Sequence, residues 1–222
     1  MTKKSGGVRN AAVKVKTAKK RKISSTLWLR RQLNDPYVIS AKKDGYRARS
    51  AYKLLEIDAK YPLLKPGKTL LDLGAVPGSW SQIAAEKIGK KGKVIAVDIQ
   101  DMASIPGVDF IHGDFAALEV QEKIRALLPA KADIILSDMA PSATGHNLTD
   151  HLRIMGLADE VLEFTKENMN RGGTLLIKLL RGGGENKYFN ELREYFKEVK
   201  YIKPASSRGD SREIFIVARG FK

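Results

Sequence analysis

The chain has 222 residues, which is enough for one domain of ordinary size that buries a full hydrophobic core. Its 40 Lys and Arg against 25 Asp and Glu give a net charge of +15, an excess that favours a polyphosphate partner such as nucleic acid. The absence of cysteine excludes disulfides, cysteine-ligated zinc and thiolate catalysis, and no apolar run approaches the roughly 20 residues of a membrane-spanning helix.

The first 24 residues differ in composition from the rest of the chain. Between Met1 and Ser25 there are nine Lys or Arg and no acidic residue, and large apolar residues are few. We therefore expect a disordered basic arm at residues 1–24, followed by a folded domain at residues 25–222. The arm either contacts nucleic-acid phosphates or is a solubilising tail. Because it has neither the apolar core nor the cleavage site of a secretion signal, we expect a cytoplasmic protein without a membrane partner.

The elements after this arm begin with helices and continue as alternating strands and helices. Ser25 and Thr26 can cap a short helix that ends near Asn34, and a second helix is predicted at residues 49–61. Strands are predicted at 68–73, 93–98, 108–112, 132–138, 173–180, 199–203 and 213–218, and helices at 79–88, 118–128, 150–169 and 186–196. Nearly continuous apolar runs in the inner strands are typical of a parallel sheet with helices on both faces. Only a polar loop separates the last two strands, so we expect the sheet to end in an antiparallel hairpin.

A loop of small residues follows the first predicted strand, where residues 74–78 read Gly-Ala-Val-Pro-Gly. In an open α/β sheet, ligands bind beyond the carboxyl ends of the strands, and small residues let the backbone approach a ligand closely. The helix that begins near Ser79 presents free N–H groups at the same place. The spacing of Gly74 and Gly78 does not fit the dinucleotide fingerprint GxGxxG, and no Gly-Lys-Ser/Thr of a phosphate-binding loop follows.

Acidic residues stand at the ends of the next three strands. Asp98 ends the second strand, where a carboxylate can accept hydrogen bonds from both ribose hydroxyls of an adenosyl ligand. Asp114 follows the third strand and could accept from an adenine amino group, and Asp138 follows the fourth. Each of them alone could instead be a surface or helix-capping residue, but successive strand ends that carry carboxylates on one rim favour an adenosyl site.

Four motifs are spread along the predicted domain. They are Asp72–Trp80 (Asp-Leu-Gly-Ala-Val-Pro-Gly-Ser-Trp), Gly113–Phe115 (Gly-Asp-Phe), Ser137–Pro141 (Ser-Asp-Met-Ala-Pro) and Ser206–Glu213 (Ser-Ser-Arg-Gly-Asp-Ser-Arg-Glu). In this order they resemble the FtsJ-type ribosomal RNA ribose 2′-O-methyltransferases of bacteria, and the resemblance extends from about residue 24 to residue 220. The departures are Val76, where the family usually has Ala, and Ser79, where it usually has Gly; both lie in the cofactor loop.

The resemblance implies a Rossmann-like class I S-adenosylmethionine-dependent methyltransferase, with a seven-stranded, mostly parallel sheet covered by helices on both faces. It implies S-adenosylmethionine as the cofactor and 2′-O-methylation of a uridine ribose in the 23S rRNA of the large ribosomal subunit. By motif position, the family's cofactor contacts fall on Gly78, Trp80, Asp98, Asp114 and Asp138. Its catalytic tetrad falls on Lys53, Asp138, Lys178 and Glu213. We expect a monomer, and no metal, since the histidines do not cluster with carboxylates.

The chemistry of the tetrad can also be judged from the residues themselves. A ribose 2′-hydroxyl is a poor nucleophile at neutral pH, so its methylation needs a base or a cationic stabiliser. Lys178 is the single charge in the apolar run 174–180, and partial burial together with a nearby second cation, Lys53, would favour its neutral amine. Asp138 could hold this amine in place, and Glu213 could orient Lys53 or the ribose. Both roles of Lys178, as proton acceptor and as stabiliser of the alkoxide, remain open at this point.

Cations near the amino terminus and in the last loop are candidate RNA contacts. They are the basic arm, Arg30, Arg31, Lys42, Lys43, Arg47, Arg49, Arg208 and Arg212. Tyr37 and Tyr46 lie among them and could stack on exposed bases. The three glycines at 182–184 form either a loop that closes over the substrate or a long turn.

Three other functions compete with RNA ribose methylation. A non-catalytic RNA-binding ribosome-assembly factor on the same fold would have no need of Lys178 and Asp138 on one rim. An amino-group methyltransferase normally has paired prolines and an aromatic residue after the fourth strand, whereas residues 138–141 read Asp-Met-Ala-Pro. A nicotinamide oxidoreductase is disfavoured because the glycine fingerprint is absent.

Overall fold

The structure is a computed structural model that describes residues 23–141 and 144–222, apart from the side chains of Ser24 and Trp28. The expected basic arm at residues 1–24 lies outside this description except for its last two positions, which begin the first helix. Across the described ranges, no helix has both the length and the apolar composition that crossing a membrane requires.

Helices and strands alternate through most of the described chain. The helices are α1 (Ile23–Leu33), α2 (Pro36–Lys43), α3 (Ala51–Lys60), α4 (Ser79–Ile88), α5 (Leu118–Leu127), α6 (Asn147–Asn168) and α7 (Glu185–Tyr195). The strands are β1 (Thr69–Leu73), β2 (Lys93–Asp98), β3 (Val108–His112), β4 (Ala132–Ser137), β5 (Met169–Leu180), β6 (Phe196–Ile202) and β7 (Glu213–Phe221). Every strand predicted from the sequence is present, although β5 begins four residues earlier than expected because it follows α6 directly.

Helix α2 was not predicted, although the sequence carries its start signal. The sequence analysis predicts only the end of the first helix near Asn34. In the structure, Asp35 is also the N-cap of α2, since its carboxylate accepts a hydrogen bond of 3.0 Å from the Tyr37 N–H and Pro36 occupies the first turn. Aspartate at the N-cap followed by proline is a favourable helix start, because proline lacks the N–H that would otherwise be unsatisfied.

The strands form one seven-stranded sheet in the order β3-β2-β1-β4-β5-β7-β6. The first five strands in the chain pair in parallel, and β7 pairs antiparallel with both β5 and β6. The predicted antiparallel end of the sheet is therefore confirmed, with β7 inserted between its two neighbours. The strand order reverses between β1 and β4, which is the point where sheets of this kind open a crevice for ligands.

Alternate residues along a strand pack into separate hydrophobic layers on the two faces of the sheet. In β5, Leu175, Ile177 and Leu179 are buried against the layer that contains α5, α6 and α7. Leu176 packs on the opposite layer, which contains α3, α4 and Phe215 of β7. Since side chains alternate between faces along a strand, Lys178 lies on the same face as Leu176, toward α3.

Candidate active site

A cavity of about 510 Å³ lies at the carboxyl ends of β1 to β4, beside the point where the strand order reverses. We call it the cofactor cavity; its walls include Gly74, Val76, Asp98, Asp114, Asp138 and Met139 from the strand ends and Arg153, Gly156, Leu157 and Glu160 from α6. Its size lies in the range of small-molecule sites. Three of the five cofactor residues expected from the motifs, Asp98, Asp114 and Asp138, therefore meet in one cavity.

The loop after β1 lies directly against the loop after β4. Gly74 has φ +75°, and a Cβ at this position would lie 2.8 Å from the main-chain N and Cα of Met139. A side chain there would collide with backbone, which cannot move aside as a flexible side chain could. The first glycine of the motif is therefore required for the close approach of the two loops that form the floor of the cofactor cavity.

Asp98 has a structural role in addition to the expected one. Its Oδ2 accepts a hydrogen bond of 2.8 Å from the Val76 N–H, and its Oδ1 accepts one of 2.9 Å from the Gln100 N–H. A carboxylate offers about four acceptor positions, so these two bonds leave others for ribose hydroxyls. The carboxylates on this rim fit an adenosyl group, because its hydroxyl and amino groups are donors.

The structure does not bring Gly78 and Trp80 to the lining of the cofactor cavity. A Cβ on Gly78 would lie 2.6 Å from Met102 Sδ, and the Trp80 indole is buried, donating a 2.9 Å hydrogen bond to the Ser50 carbonyl. The Trp80 ring packs on Phe215 at a centroid distance of 5.9 Å. The indole thus joins α4 to the start of α3, and contact of Gly78 and Trp80 with the cofactor stays a prediction. Only the main-chain N–H groups of the first turn of α4 remain as cofactor donors here.

Asp72 is a buried titratable residue that the sequence reasoning did not single out. It is 0% exposed in β1, its Oδ2 accepts a 2.6 Å hydrogen bond from Ser81 Oγ, and its Oδ1 has no hydrogen-bond partner among the described residues. Burial, helped by the negative charges of Asp138 and Asp98 and opposed by the hydrogen bond from Ser81, raises the pKa of Asp72 to about 7. The signal was present in the sequence as one acid within the apolar run Leu70–Leu73.

The tetrad consists of two lysine–carboxylate pairs. Lys178 Nζ donates to the Asp138 main-chain carbonyl at 2.5 Å and lies 2.7 Å from Asp138 Oδ1, where the charges pair without an aligned hydrogen bond. Lys53 Nζ donates to Glu213 Oε2 at 2.8 Å. Each of these four side chains is at most 20% exposed. Residues 53 and 213 are far apart in the chain, and only the packing of α3 on the sheet joins them.

The register of the last strands places the two pairs side by side. Lys178 of β5 is opposite Phe215 of β7, and Glu213 is opposite Leu180, so Glu213 and Lys178 lie on one face two positions apart. Burial alone would raise the pKa of Glu213, but the charge and hydrogen bond of Lys53, together with Ser207 and the charge of Lys178, hold it below its ordinary value. Glu213 is therefore a carboxylate at neutral pH.

The structure shows the partner of each lysine in the tetrad. The sequence predicted that partial burial and the nearby cation Lys53 would favour the neutral amine of Lys178, with Asp138 and Glu213 as partners of the two lysines. In the structure each lysine has its own carboxylate, Glu213 for Lys53 and Asp138 for Lys178. The charge of Lys53 is therefore already paired with Glu213 beside Lys178.

Arg47 was a candidate RNA contact, and the structure places it differently. Its guanidinium donates to three main-chain carbonyls: those of Pro77 at 3.1 Å, Ala103 at 2.7 Å and Ser104 at 2.8 Å. It thus joins the segment before α3 to the loop after β1 and to the loop between β2 and β3. Arg47 therefore supports the wall of the cofactor site, and these three bonds use both Nη1 donors and one Nη2 donor of its guanidinium.

Replacing Arg47 with lysine should weaken S-adenosylmethionine binding about fivefold. One ammonium cannot bridge three carbonyls, and the lost hydrogen bonds are worth about 1 kcal/mol, which corresponds to about this factor. Calorimetric titration of the cofactor would measure the change. Arg30→Lys, on the exposed end of α1, is the matched control and should bind as the wild type does. Equal affinities of both variants would contradict the assigned role.

The glycine-rich loop after β5 is held by a buried histidine. His151 of α6 contacts the Leu180 carbonyl with Nδ1 at 2.9 Å, and its Nε2 accepts a 2.9 Å hydrogen bond from the Gly184 N–H. A Cβ on Gly182 would lie 2.4 Å from the imidazole. This anchoring supports the turn interpretation of residues 182–184. The described residues contain no group of His, Cys, Asp or Glu arranged to hold a metal ion.

The comparisons with known proteins agree with this architecture. The model of the FtsJ-like methyltransferase family matches residues 46–221. The chain is 52% identical over 213 residues to the ribosomal RNA large subunit methyltransferase E of a Bradyrhizobium strain, which covers 95% of this chain and 92% of that protein. The crystal structure of a candidate ribosomal RNA methyltransferase from Plasmodium falciparum has 38% identity and a TM-score of 0.73, covering 79% of this chain and 98% of that one.

A more distant structure shares the fold alone. The fibrillarin of Aeropyrum pernix, solved with natively bound S-adenosylmethionine, has 18% identity and a TM-score of 0.53 and covers 76% of each chain. The family match and the curated relative are much closer, and they extend over nearly all of the described residues. The chain therefore belongs to the FtsJ-like methyltransferase family.

Proposed function

We propose that the protein transfers a methyl group from S-adenosylmethionine to the 2′-hydroxyl of a uridine ribose in the 23S rRNA of the large ribosomal subunit. The observation that carries the proposal is the pair Lys178–Asp138 at the edge of the cofactor cavity, next to the pair Lys53–Glu213. The curated relative, named for methylation of large-subunit ribosomal RNA, supports the substrate. A cytoplasmic location and a monomeric state belong to the same proposal.

The residues divide between holding the cofactor and preparing the hydroxyl. When bound, S-adenosylmethionine supplies an electrophilic methyl group. Asp98 and Asp114 hold the adenosyl part by accepting its hydroxyl and amino hydrogens. The Gly78 N–H donates to the Ala75 carbonyl at 2.6 Å, so the main-chain N–H groups that can receive the cofactor carboxylate are those of Ser79 and Trp80 in the first turn of α4.

The two lysine–carboxylate pairs act on the ribose. Lys178, held by Asp138, donates a hydrogen bond to the 2′-oxygen as an ammonium and stabilises the negative charge that develops there while the hydroxyl proton passes to solvent. If Lys178 first loses its own proton, the same nitrogen can accept that of the hydroxyl. Lys53, held by Glu213, fixes the direction in which the ribose enters. A non-catalytic assembly factor would gain nothing from two buried pairs at this rim, since burying charge costs stability.

The direct test is to incubate labelled S-adenosylmethionine with large ribosomal subunits purified from cells that lack the modification. We expect label in the 23S rRNA, at one ribose 2′-oxygen, as mapped by resistance of the adjacent phosphodiester to alkaline cleavage. Subunits that already carry the modification are the control and should accept no label. Label on a base or on ribosomal protein would contradict the proposed reaction.

A further inference from the structure

A second cavity lies beside the tetrad, next to the cofactor cavity. It has a volume of about 500 Å³, and its walls include Arg31, Arg49, Lys53, Arg208, Asp210 and Glu213. We call it the arginine cavity. Because Lys53 and Glu213 belong both to the tetrad and to its wall, this cavity opens onto the place where the ribose is methylated. Its four cations against two carboxylates favour an anionic occupant.

One buried carboxylate forms ion pairs with two of these arginines. Asp35 is 8% exposed and forms ion pairs with Arg49 Nη1 and, at 3.3 Å, with Arg208 Nη2. The same carboxylate caps α2 through the Tyr37 N–H. Residues 35 and 208 are separated by most of the chain, so this contact joins the amino-terminal helices to the loop between β6 and β7.

Further hydrogen bonds fix the direction of each guanidinium. Arg49 Nη2 donates to the Ser206 carbonyl, and Arg208 Nη2 donates to Gln32 Oε1 at 3.1 Å. Arg49 also lies over the Tyr37 ring, 5.4 Å from its centroid. A guanidinium offers five N–H groups in a rigid fork, and only part of each fork is used by these contacts. The remaining donors belong to residues that line the arginine cavity.

One donor in this cluster has no partner. Arg208 Nε is buried and, within the residues that the structure describes, makes no hydrogen bond. An unsatisfied buried donor costs about 1–3 kcal/mol, and native proteins seldom leave one without a reason. Nη2 donates to Asp35 and Gln32, which among the described contacts leaves the Nη1 side of this guanidinium for a charge-assisted hydrogen bond to a phosphate oxygen.

We infer that the arginine cavity binds the RNA phosphate next to the target ribose, and that Asp35 is the positioning residue that aims Arg49 and Arg208 at it. The inference rests on the proposed function, because the cavity is identified as a substrate site by its contact with the tetrad. Asp35 itself is behind the arginines and touches no substrate. Its negative charge lowers the net positive charge of the site, yet it increases affinity for the phosphate by holding both forks in place.

For a substitution at Asp35, this assignment predicts weaker RNA binding, whereas the change of charge alone predicts tighter RNA binding. Asp35→Asn removes a negative charge near a phosphate site, which by charge alone should tighten RNA binding. Asparagine can still cap α2, so the helix start is retained. Because the neutral amide no longer holds two guanidinium groups, we expect the KM for unmodified large subunits to rise about tenfold. The value of kcat at saturating subunits and the affinity for S-adenosylmethionine should stay at the wild-type level.

Asp210→Asn is the matched control. Asp210 lines the same cavity, but it is exposed, and its ion pair among the described residues is with the exposed Arg31, at 3.2 Å. This variant makes the same change of charge without removing the anchor of the two arginines, so its KM should fall below that of the wild type. Binding of subunits is also measured by filter retention without methyl transfer, so that failure of the inference can be told apart from failure of the proposed function.

The salt dependence of binding gives a second readout. Loss of one phosphate contact should reduce the slope of log affinity against log salt by about 0.7 to 0.9 in Asp35→Asn and leave it unchanged in Asp210→Asn. Tighter or equal subunit binding by Asp35→Asn, or equal weakening in both variants, overturns the inference. A fall in kcat with an unchanged KM also overturns it, because that result would indicate a general disturbance of the tetrad.

If Asp35→Asn does not fold, the double variant Arg49→Lys/Arg208→Lys is used instead. It keeps both positive charges and should show the same weakening of subunit binding. Wild-type binding by this double variant overturns the inference.

Discussion

Replacing Lys178 with methionine should reduce methyl transfer about a thousandfold and leave S-adenosylmethionine binding nearly unchanged. Methionine is unbranched and fills similar space in β5, but it can neither donate to the 2′-oxygen nor stabilise its charge. Positioned groups that move protons or stabilise charge in this way contribute about 10²- to 10⁴-fold. Since Lys178 is only 11% exposed and pairs with Asp138, water cannot easily take its place.

The measurement is single-turnover transfer to large subunits at saturating cofactor, together with calorimetric binding of the cofactor. Lys200→Met is the matched control, because Lys200 is an exposed residue of β6 on the outer strand of the sheet. This control should retain wild-type turnover. If Lys178→Met kept more than a tenth of wild-type turnover, the assignment of Lys178 would be wrong.

Replacing Asp72 with asparagine should stabilise the cofactor-free protein above neutral pH. Burial raises the pKa of Asp72 from its ordinary 3.8 to about 7, so between these values the native state holds a proton that the unfolded chain releases. Wild-type stability therefore falls, relative to the variant, as the pH rises from about 4 to about 7, and it falls no further above that. A shift of this size corresponds to about 4 kcal/mol at pH 8, taken as an upper limit.

The test is urea unfolding of both proteins at several pH values between 4 and 8. The difference in the free energy of unfolding between the two proteins should change with pH, and Asp72→Asn should be the more stable at high pH. The asparagine can still accept the hydrogen bond from the Ser81 hydroxyl. Asp101→Asn, a change at an exposed residue after β2, serves as the control and should run parallel to the wild type. A difference that does not depend on pH would refute the assignment of a buried, protonated Asp72.

The pattern of apolar and acidic residues predicted most of the fold and the rim of the cofactor site. Nearly continuous apolar runs such as Thr69–Leu71 and Thr174–Ile177 are typical of strands buried on both faces, and such strands pair in parallel. Parallel strands bring their carboxyl ends to one edge, so Asp98, Asp114 and Asp138 could be expected to meet. The structure places these three residues on one cavity.

Other features depend on contacts that no local pattern specifies. The insertion of β7 between β5 and β6 sets the register that puts Glu213 beside Lys178. The partners of Arg47 are carbonyls, and a carbonyl is present at every residue, so the sequence cannot indicate which ones it binds. The sequence therefore predicted Arg47 as an RNA contact, because an arginine that supports a loop cannot be distinguished in sequence from one that binds phosphate.

By itself, the sequence determined the class of fold, the cofactor and the identity of the chemical groups, because these follow from side-chain type, from the period of apolar residues and from the motifs. Tertiary structure alone decided how the charges are paired. Lys53 with Glu213, Lys178 with Asp138, and Asp35 with two arginines are pairs formed over long chain separations. The strength and direction of a charge interaction depend on distance and burial, which only the packed structure defines.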